Sequence, residues 1–109
     1  MAQSYRKNLL ILSSARRELE NFNKEIKKKF YELFEDLSSN GFLEYPDGKK
    51  LSGYDLFEIR VKRENVYRCL YCNYKNDIVI LCAFQKKSQK TPKREIDKAL
   101  KRKFNLRKQ

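Results

Sequence analysis

Apolar residues in this chain recur at two different periods, and the switch between them limits the folds open to it. From Leu19 the step is three or four residues, through Phe22, Ile26, Phe30, Leu33, Phe34 and Leu37, the stripe of an amphipathic helix. From Phe57 the step is two. Phe57, Ile59 and Val61 alternate with Glu58, Arg60 and Lys62, so a strand there has one apolar and one polar face. The pattern predicts helices first and paired strands afterwards.

Punctuation residues divide these stretches. Tyr5 to Leu12 reads as a short strand running into a helix cap at Ser13 and Ser14. Residues Ala15 to Asn40 read as two helices with a break at Asn21 to Asn23 and a stop at Gly41. Tyr45 to Gly53 collects Pro46, Asp47, Gly48 and Ser52 and reads as a loop. Turns at Arg63 to Asn65 and Lys75 to Asp77 separate the first alternating strand from Val66 to Tyr74 and from Ile78 to Phe84, an antiparallel meander. The last of these strands is nearly all apolar, which predicts a central position covered on both faces. Thr91 is placed as the N-cap of a final helix with Pro92 in its first turn and Ile96, Ala99, Leu100 and Phe104 along its apolar side. At 109 residues the expected organisation is one domain, 1–109.

Charge narrows the function. Between Phe84 and Gln109 lie eleven Lys or Arg against two acids, which puts nine of the twelve net positive charges in the last quarter and points to a polyanionic partner. The chain has no histidine, so Ser-His and Cys-His nucleophiles are excluded. Its three glycines form no phosphate-binding loop. Cys69 and Cys72 have the spacing of half a zinc site, but residues three apart on a strand point to opposite faces, and they read as packing cysteines. No stretch has the length of a membrane span, and Leu9 to Leu12 is too short for a signal-peptide core; the expected location is the cytosol.

What remains is a set of cations on and after the strands: Arg60, Arg68, Lys86, Lys87 and Lys90, with Gln85 among them. Lys24, Lys27, Lys28 and Lys29 lie off the helical apolar stripe and read as a solvated face. Arg68 interrupts an otherwise apolar strand. An arginine there needs either a partner, for which Glu58 is the candidate, or a cleft to face.

Several segments together resemble the phage-derived branch of the RelE/HigB toxin family. They are Lys50-Leu51-Ser52-Gly53, Leu56-Phe57-Glu58-Ile59-Arg60-Val61, Val66-Tyr67-Arg68-Cys69-Leu70-Tyr71, and Ala83-Phe84-Gln85-Lys86-Lys87-Ser88-Gln89-Lys90-Thr91-Pro92, followed by Glu95, Ile96 and Ala99. The resemblance covers about the C-terminal half. It implies an α+β fold with two N-terminal helices packed on a small antiparallel sheet of about four strands, in the order βααβββα. It also implies a toxin of a type II toxin-antitoxin pair that cleaves mRNA on the ribosome without a metal or other cofactor. A cognate helix-turn-helix antitoxin would be its inhibitor.

Carried onto this sequence, the resemblance implies catalytic roles for Arg68 on the scissile phosphate, for Arg60, and for Lys86 or Lys87 as proton carrier. Glu58 is implied as general base or as partner of Arg60. RNA contacts are expected from Gln85, Lys90, Lys93 and Arg94, and Tyr67 or Tyr71 is available for base stacking. Two rivals stand beside this reading: an inactive module of the same fold that docks RNA or an antitoxin, and a metal-dependent nuclease, for which the strands offer few carboxylates.

Overall fold

The computed structural model describes residues 6–61, 66–86 and 90–107. Along the chain come β1 (Leu9–Ile11), α1 (Ser13–Glu20), α2 (Lys24–Asn40), β2 (Gly48–Leu51), β3 (Leu56–Val61), β4 (Val66–Tyr74), β5 (Asp77–Lys86) and α3 (Lys93–Leu106). The strands among the described residues form one five-stranded sheet in the order β1-β5-β4-β3-β2. This is an α+β fold.

Local chemistry sets the element ends. The Asn23 side chain accepts from the Ile26 N–H at 2.9 Å and opens α2. Gly41, at φ 85°, takes the left-handed position that ends it. Lys75 and Asn76 both have positive φ, which gives the β4–β5 hairpin the two-residue turn whose twist matches its strands.

Side-chain alternation on the sheet builds two cores. Ile59, Val61, Cys69, Tyr71, Ile78, Ile80 and Ala83 pack against Ala15 and Leu19 of α1 and Ile26, Phe30, Phe34 and Leu37 of α2. On the other face Leu56, Leu70, Cys72, Val79, Leu81, Cys82 and Phe84 pack against Ile96 and Ala99 of α3. Strand β5 is thus covered on both faces as its apolar run predicts. Cys69 and Cys72 fall in opposite cores, and burial pushes the Cys72 and Cys82 thiols up to about 11 and about 12. These are inert packing groups.

The expected antiparallel sheet of four strands is corrected to a mixed sheet of five. Strand β1 runs parallel to β5, pairing Leu9 with Ile78 and Ile11 with Ile80. Strand β2 lies inside the expected Tyr45–Gly53 loop, where Gly48, Lys49 and Lys50 pair with Ile59, Glu58 and Phe57. Gly48 is required there, because a Cβ would lie 2.6 Å from the Leu43 Cβ and carbonyl oxygen. The sheet's middle strand is β4; β5 lies beside it, flanked by β1. Ser13 and Ser14 already belong to α1, whose N-cap is Leu12, and Pro92 rather than Thr91 caps α3. Phe104, expected on the apolar side of α3, is 53% exposed. The turn expected at Arg63 to Asn65 lies outside the described residues.

A bulge in β5 ties the two layers of helices together. Leu70 pairs with Cys82 and Tyr71 with Ile80, so Leu81 is the extra residue, and it shares a core with Cys82. The Leu81 carbonyl accepts from Arg102 at 2.8 Å, and the Ala83 N–H donates to Glu18 at 3.1 Å. Arg102 grips Glu18 with both terminal nitrogens at 3.0 Å, and Lys98 donates to Glu18 at 3.0 Å. One carboxylate from α1 therefore holds β5 and α3 at once.

Candidate functional site

Strand parity brings the suspected cations onto one face. On β3, Glu58 and Arg60 share the α3 side with Leu56; on β4, Arg68 shares it with Leu70; on β5, Lys86 shares it with Phe84. Register then sets the neighbours: Arg60 pairs directly with Arg68, Arg68 with Phe84, and Lys86 with Val66. Helix α3 begins only at Lys93, and its buried residues Ile96 and Ala99 cover the apolar part of this face. The cations occupy the part nearer the strand ends.

Burial makes the cluster unusual. Glu58, Arg68 and Lys86 are 2%, 2% and 4% exposed, while Arg60 is half-buried at the rim. Two arginines directly opposite on neighbouring strands repel, and desolvation adds to the cost. Yet the Nε atoms of both arginines and Nη1 of Arg68 are buried with no hydrogen-bond partner among the described residues. The Arg68–Glu58 pair is an ion pair at 3.8 Å, too long for a hydrogen bond.

Burial pulls the Arg68 guanidinium below its ordinary pKa, with the Arg60 charge adding to that and Glu58 opposing it. For Lys86, burial comes first and the Arg68 charge second; both lower its pKa, Arg60 and Lys49 add to them, and Glu58 opposes. Lys86 is thus moved toward the range in which an ammonium can give up a proton. Both oxygens of Glu58 are engaged, one accepting from the Thr91 hydroxyl and the other facing Arg68. It is the partner of Arg68 rather than of Arg60.

Other expected site residues lie elsewhere. Tyr67 faces the α1–α2 side, its ring edge-on to Phe22 at 5.0 Å, and Gln85 is its cross-strand neighbour on that same side. Tyr71 is buried there and stacked on Phe57, and burial pushes its hydroxyl up to about 12. Lys90, Lys93 and Arg94 are exposed; Lys93 pairs with Asp97 at 3.0 Å along α3, and Arg94 lies 3.9 Å from Glu95. Lys87 lies outside the described residues. The sheet therefore gathers Arg60, Arg68, Lys86 and Glu58, and leaves Tyr67 and Gln85 on the opposite face.

Two residues of the site have no marker in the sequence. Thr91 looks like a helix cap, yet its hydroxyl donates to Glu58. Tyr45 sits in a turn-rich stretch, but its ring lies 5.5 Å from the Arg60 guanidinium and is 70% exposed. Among the described residues no group of three or more His, Cys, Asp or Glu side chains is placed to hold a metal ion.

The sequence profile of the Gp49-like phage-derived proteins matches residues 17–103, which include every strand of the cation cluster. The chain belongs to this family. The resemblance to the phage-derived branch of the RelE/HigB toxins, read from the strand motifs, is therefore borne out.

Solved structures with the same fold include a free arginine double mutant of the E. coli toxin RelE. It is 17% identical with a TM-score of 0.68, covering 92% of this chain and 98% of that one. Similar too are the RelBE2 toxin-antitoxin complex of Mycobacterium tuberculosis (24% identity, TM-score 0.58, covering 81% and 100%) and the YoeB-YefM complex of Staphylococcus aureus (27%, 0.56, covering 72% and 94%). A search of curated protein sequences returned no match. The Gp49-like chain shares its fold with RelE and packs its helices on the two faces of a single sheet. No helix among its described residues is long and apolar enough to cross a membrane.

Proposed function

We propose that this protein is the toxin of a type II toxin-antitoxin pair and acts as a ribosome-dependent mRNA endoribonuclease that needs no metal. One observation carries the reading: two buried cations, Arg68 and Lys86, and the half-buried Arg60 share one face of three adjacent strands, and guanidinium donors among them lack acceptors among the described residues. A phosphodiester oxygen is an acceptor of the right charge for those donors. The domain 1–109 would carry the whole activity in the cytoplasm, where ribosomes and mRNA meet. The complexes of RelBE2 and YoeB-YefM support a cognate antitoxin as partner, proposed here to be a helix-turn-helix protein.

The chemistry follows from the roles. A 2′-hydroxyl of the RNA loses its proton as its oxygen bonds to the adjacent phosphorus. The bond from phosphorus to the 5′-oxygen then breaks, and that oxygen takes up a proton. Negative charge grows on the phosphoryl oxygens, where Arg68 and Arg60 stabilise it. Lys86, with its lowered pKa, carries the proton, and Lys87 stands as its alternative. Glu58, held by Thr91, orients Arg68 and partly neutralises it.

The burial of Arg68 and Glu58 favours a second reading, in which the pair is structural and the protein is an inactive module that only docks RNA or an antitoxin. Induced expression separates the two. Under the toxin reading the wild-type protein arrests growth and blocks protein synthesis, and Arg68→Lys, which keeps the charge but loses the planar fork, relieves the block. A folded wild type that leaves protein synthesis unaffected contradicts the toxin reading and leaves the docking module.

A further inference from the structure

Among the described residues Tyr45 is the most exposed of the large apolar or aromatic side chains, at 70%, and it sits beside the strand cations. The Arg60 guanidinium lies over its ring at 5.5 Å, and the Tyr45 and Arg68 side chains are close enough to interact electrostatically. Its loop is anchored. The Asp47 carbonyl accepts from the Arg60 N–H at 2.8 Å, the Gly48 N–H donates to the Glu44 carbonyl at 3.0 Å, and Gly48 pairs with Ile59. Gly48 leaves no room for a Cβ against Leu43, so the turn that carries Tyr45 closes tightly before β2. The edge strand adds Lys49 and Lys50, both exposed.

An exposed aromatic ring fixed beside phosphate-seeking arginines is what single-stranded nucleic acid uses for binding: bases stack on the ring while cations follow the backbone. Tyr67 and Tyr71, the strand tyrosines of the opposite core, are instead packed against Phe22 and Phe57. We infer that Tyr45 is a base-stacking residue, taking the face of one base of a single-stranded RNA while Arg60 holds the backbone phosphate beside it. The inference deepens the proposed function by naming the part of the substrate that this edge of the site recognises.

The test uses the full chain and a short single-stranded RNA carrying one 2-aminopurine, whose fluorescence falls on stacking. Wild type and Tyr45→Phe quench the probe. Tyr45→Ala loses the quenching and binds about 10- to 100-fold more weakly, the range that base–aromatic stacking supplies. In cleavage assays Tyr45→Ala raises KM while leaving kcat near wild type, the signature of lost substrate binding. Its melting point is unchanged, since the side chain is exposed. Equal quenching and affinity in Tyr45→Ala overturn the inference, as does a wild type that quenches nothing. Tyr45-dependent quenching without any RNA cleavage would keep the stacking role and remove the catalytic reading; cleavage indifferent to Tyr45 would do the reverse.

Discussion

Two groups of cations in this protein have the same residue types and opposite circumstances. On α3, Lys98, Arg102 and Lys103 meet acceptors at hydrogen-bond distance: Glu18, Glu95 and the Leu81 carbonyl for the first two, Asp55 for the third. On the strands, Arg60 and Arg68 stand opposite each other with donors that lack partners among the described residues. The first arrangement closes a sheet edge beyond the end of β1. The second opposes folding and makes sense as a site held ready for a negative ligand. Net charge counts both alike and so does not tell paired cations from unpaired ones.

The contrast breaks most directly at the strand pair. Replacing both members, Glu58→Gln with Arg68→Met, removes two buried charges together, so stability should hold or rise, whereas cleavage should fall at least about 100-fold. Arg68→Ala alone is a poorer probe, since it strands a buried carboxylate and costs about 3–5 kcal/mol. A thermal melt beside a cleavage assay reads both effects; a double variant that melts much earlier would make the pair structural.

Arg102→Ala should do the opposite. Losing its charge-assisted bonds to Glu18 and Leu81 should cost about 1–3 kcal/mol of stability, a drop of several degrees in melting point, with the cleavage rate of the folded protein unchanged. If Arg102→Ala instead stops cleavage at full stability, α3 belongs to the site.

A smaller effect follows from pH. Burial pushes the Glu18 carboxyl up, but its bonds to Arg102, the Ala83 N–H and Lys98 outweigh that and hold it below its ordinary value of 4.5. A carboxyl whose folded pKa is depressed stabilises the fold above its unfolded pKa and loses that contribution as the pH falls through the folded value. Wild type should therefore lose stability below about pH 4.5 more steeply than Glu18→Gln, which is less stable at neutral pH. Parallel acid limbs in urea titrations would contradict this. Least affected should be the double variant Lys93→Ala with Arg94→Ala, whose exposed charges change stability by under about 0.5 kcal/mol and serve as the baseline.

Much of this was legible in the sequence, and the gaps have physical causes. Helices α1 and α2, their break at Asn21 to Asn23 and their stop at Gly41 follow from period and caps, which are local. Strand β2 escaped because it is a four-residue edge strand, with Lys49 and Lys50 at its middle and a turn signal at its start; edge strands carry charge to avoid pairing with other chains. The parallel pairing of β1 leaves no turn between partners, so nothing local marks it. The suspicion of Arg68 rests on its interrupting an otherwise apolar strand, and parity places Glu58 and Arg60 together on one face of theirs; bringing Arg68 onto that face takes the β3–β4 register. Thr91 misled because a cap signal and a tertiary hydrogen bond to Glu58 use the same hydroxyl. Tyr45 could not be read from a turn-rich stretch whose position beside Arg60 is set by strand pairing.

The central claim is that the strand cations, and not those of α3, cut RNA. Its most direct test is to add purified wild-type, Arg68→Lys and Arg102→Ala proteins to ribosomes programmed with a defined mRNA and determine the ends of the fragments. Fragments ending in a 2′,3′-cyclic phosphate and a 5′-hydroxyl, made by wild type and Arg102→Ala but not by Arg68→Lys, are the predicted result. Intact mRNA with the wild type, or undiminished cutting by Arg68→Lys, would contradict it.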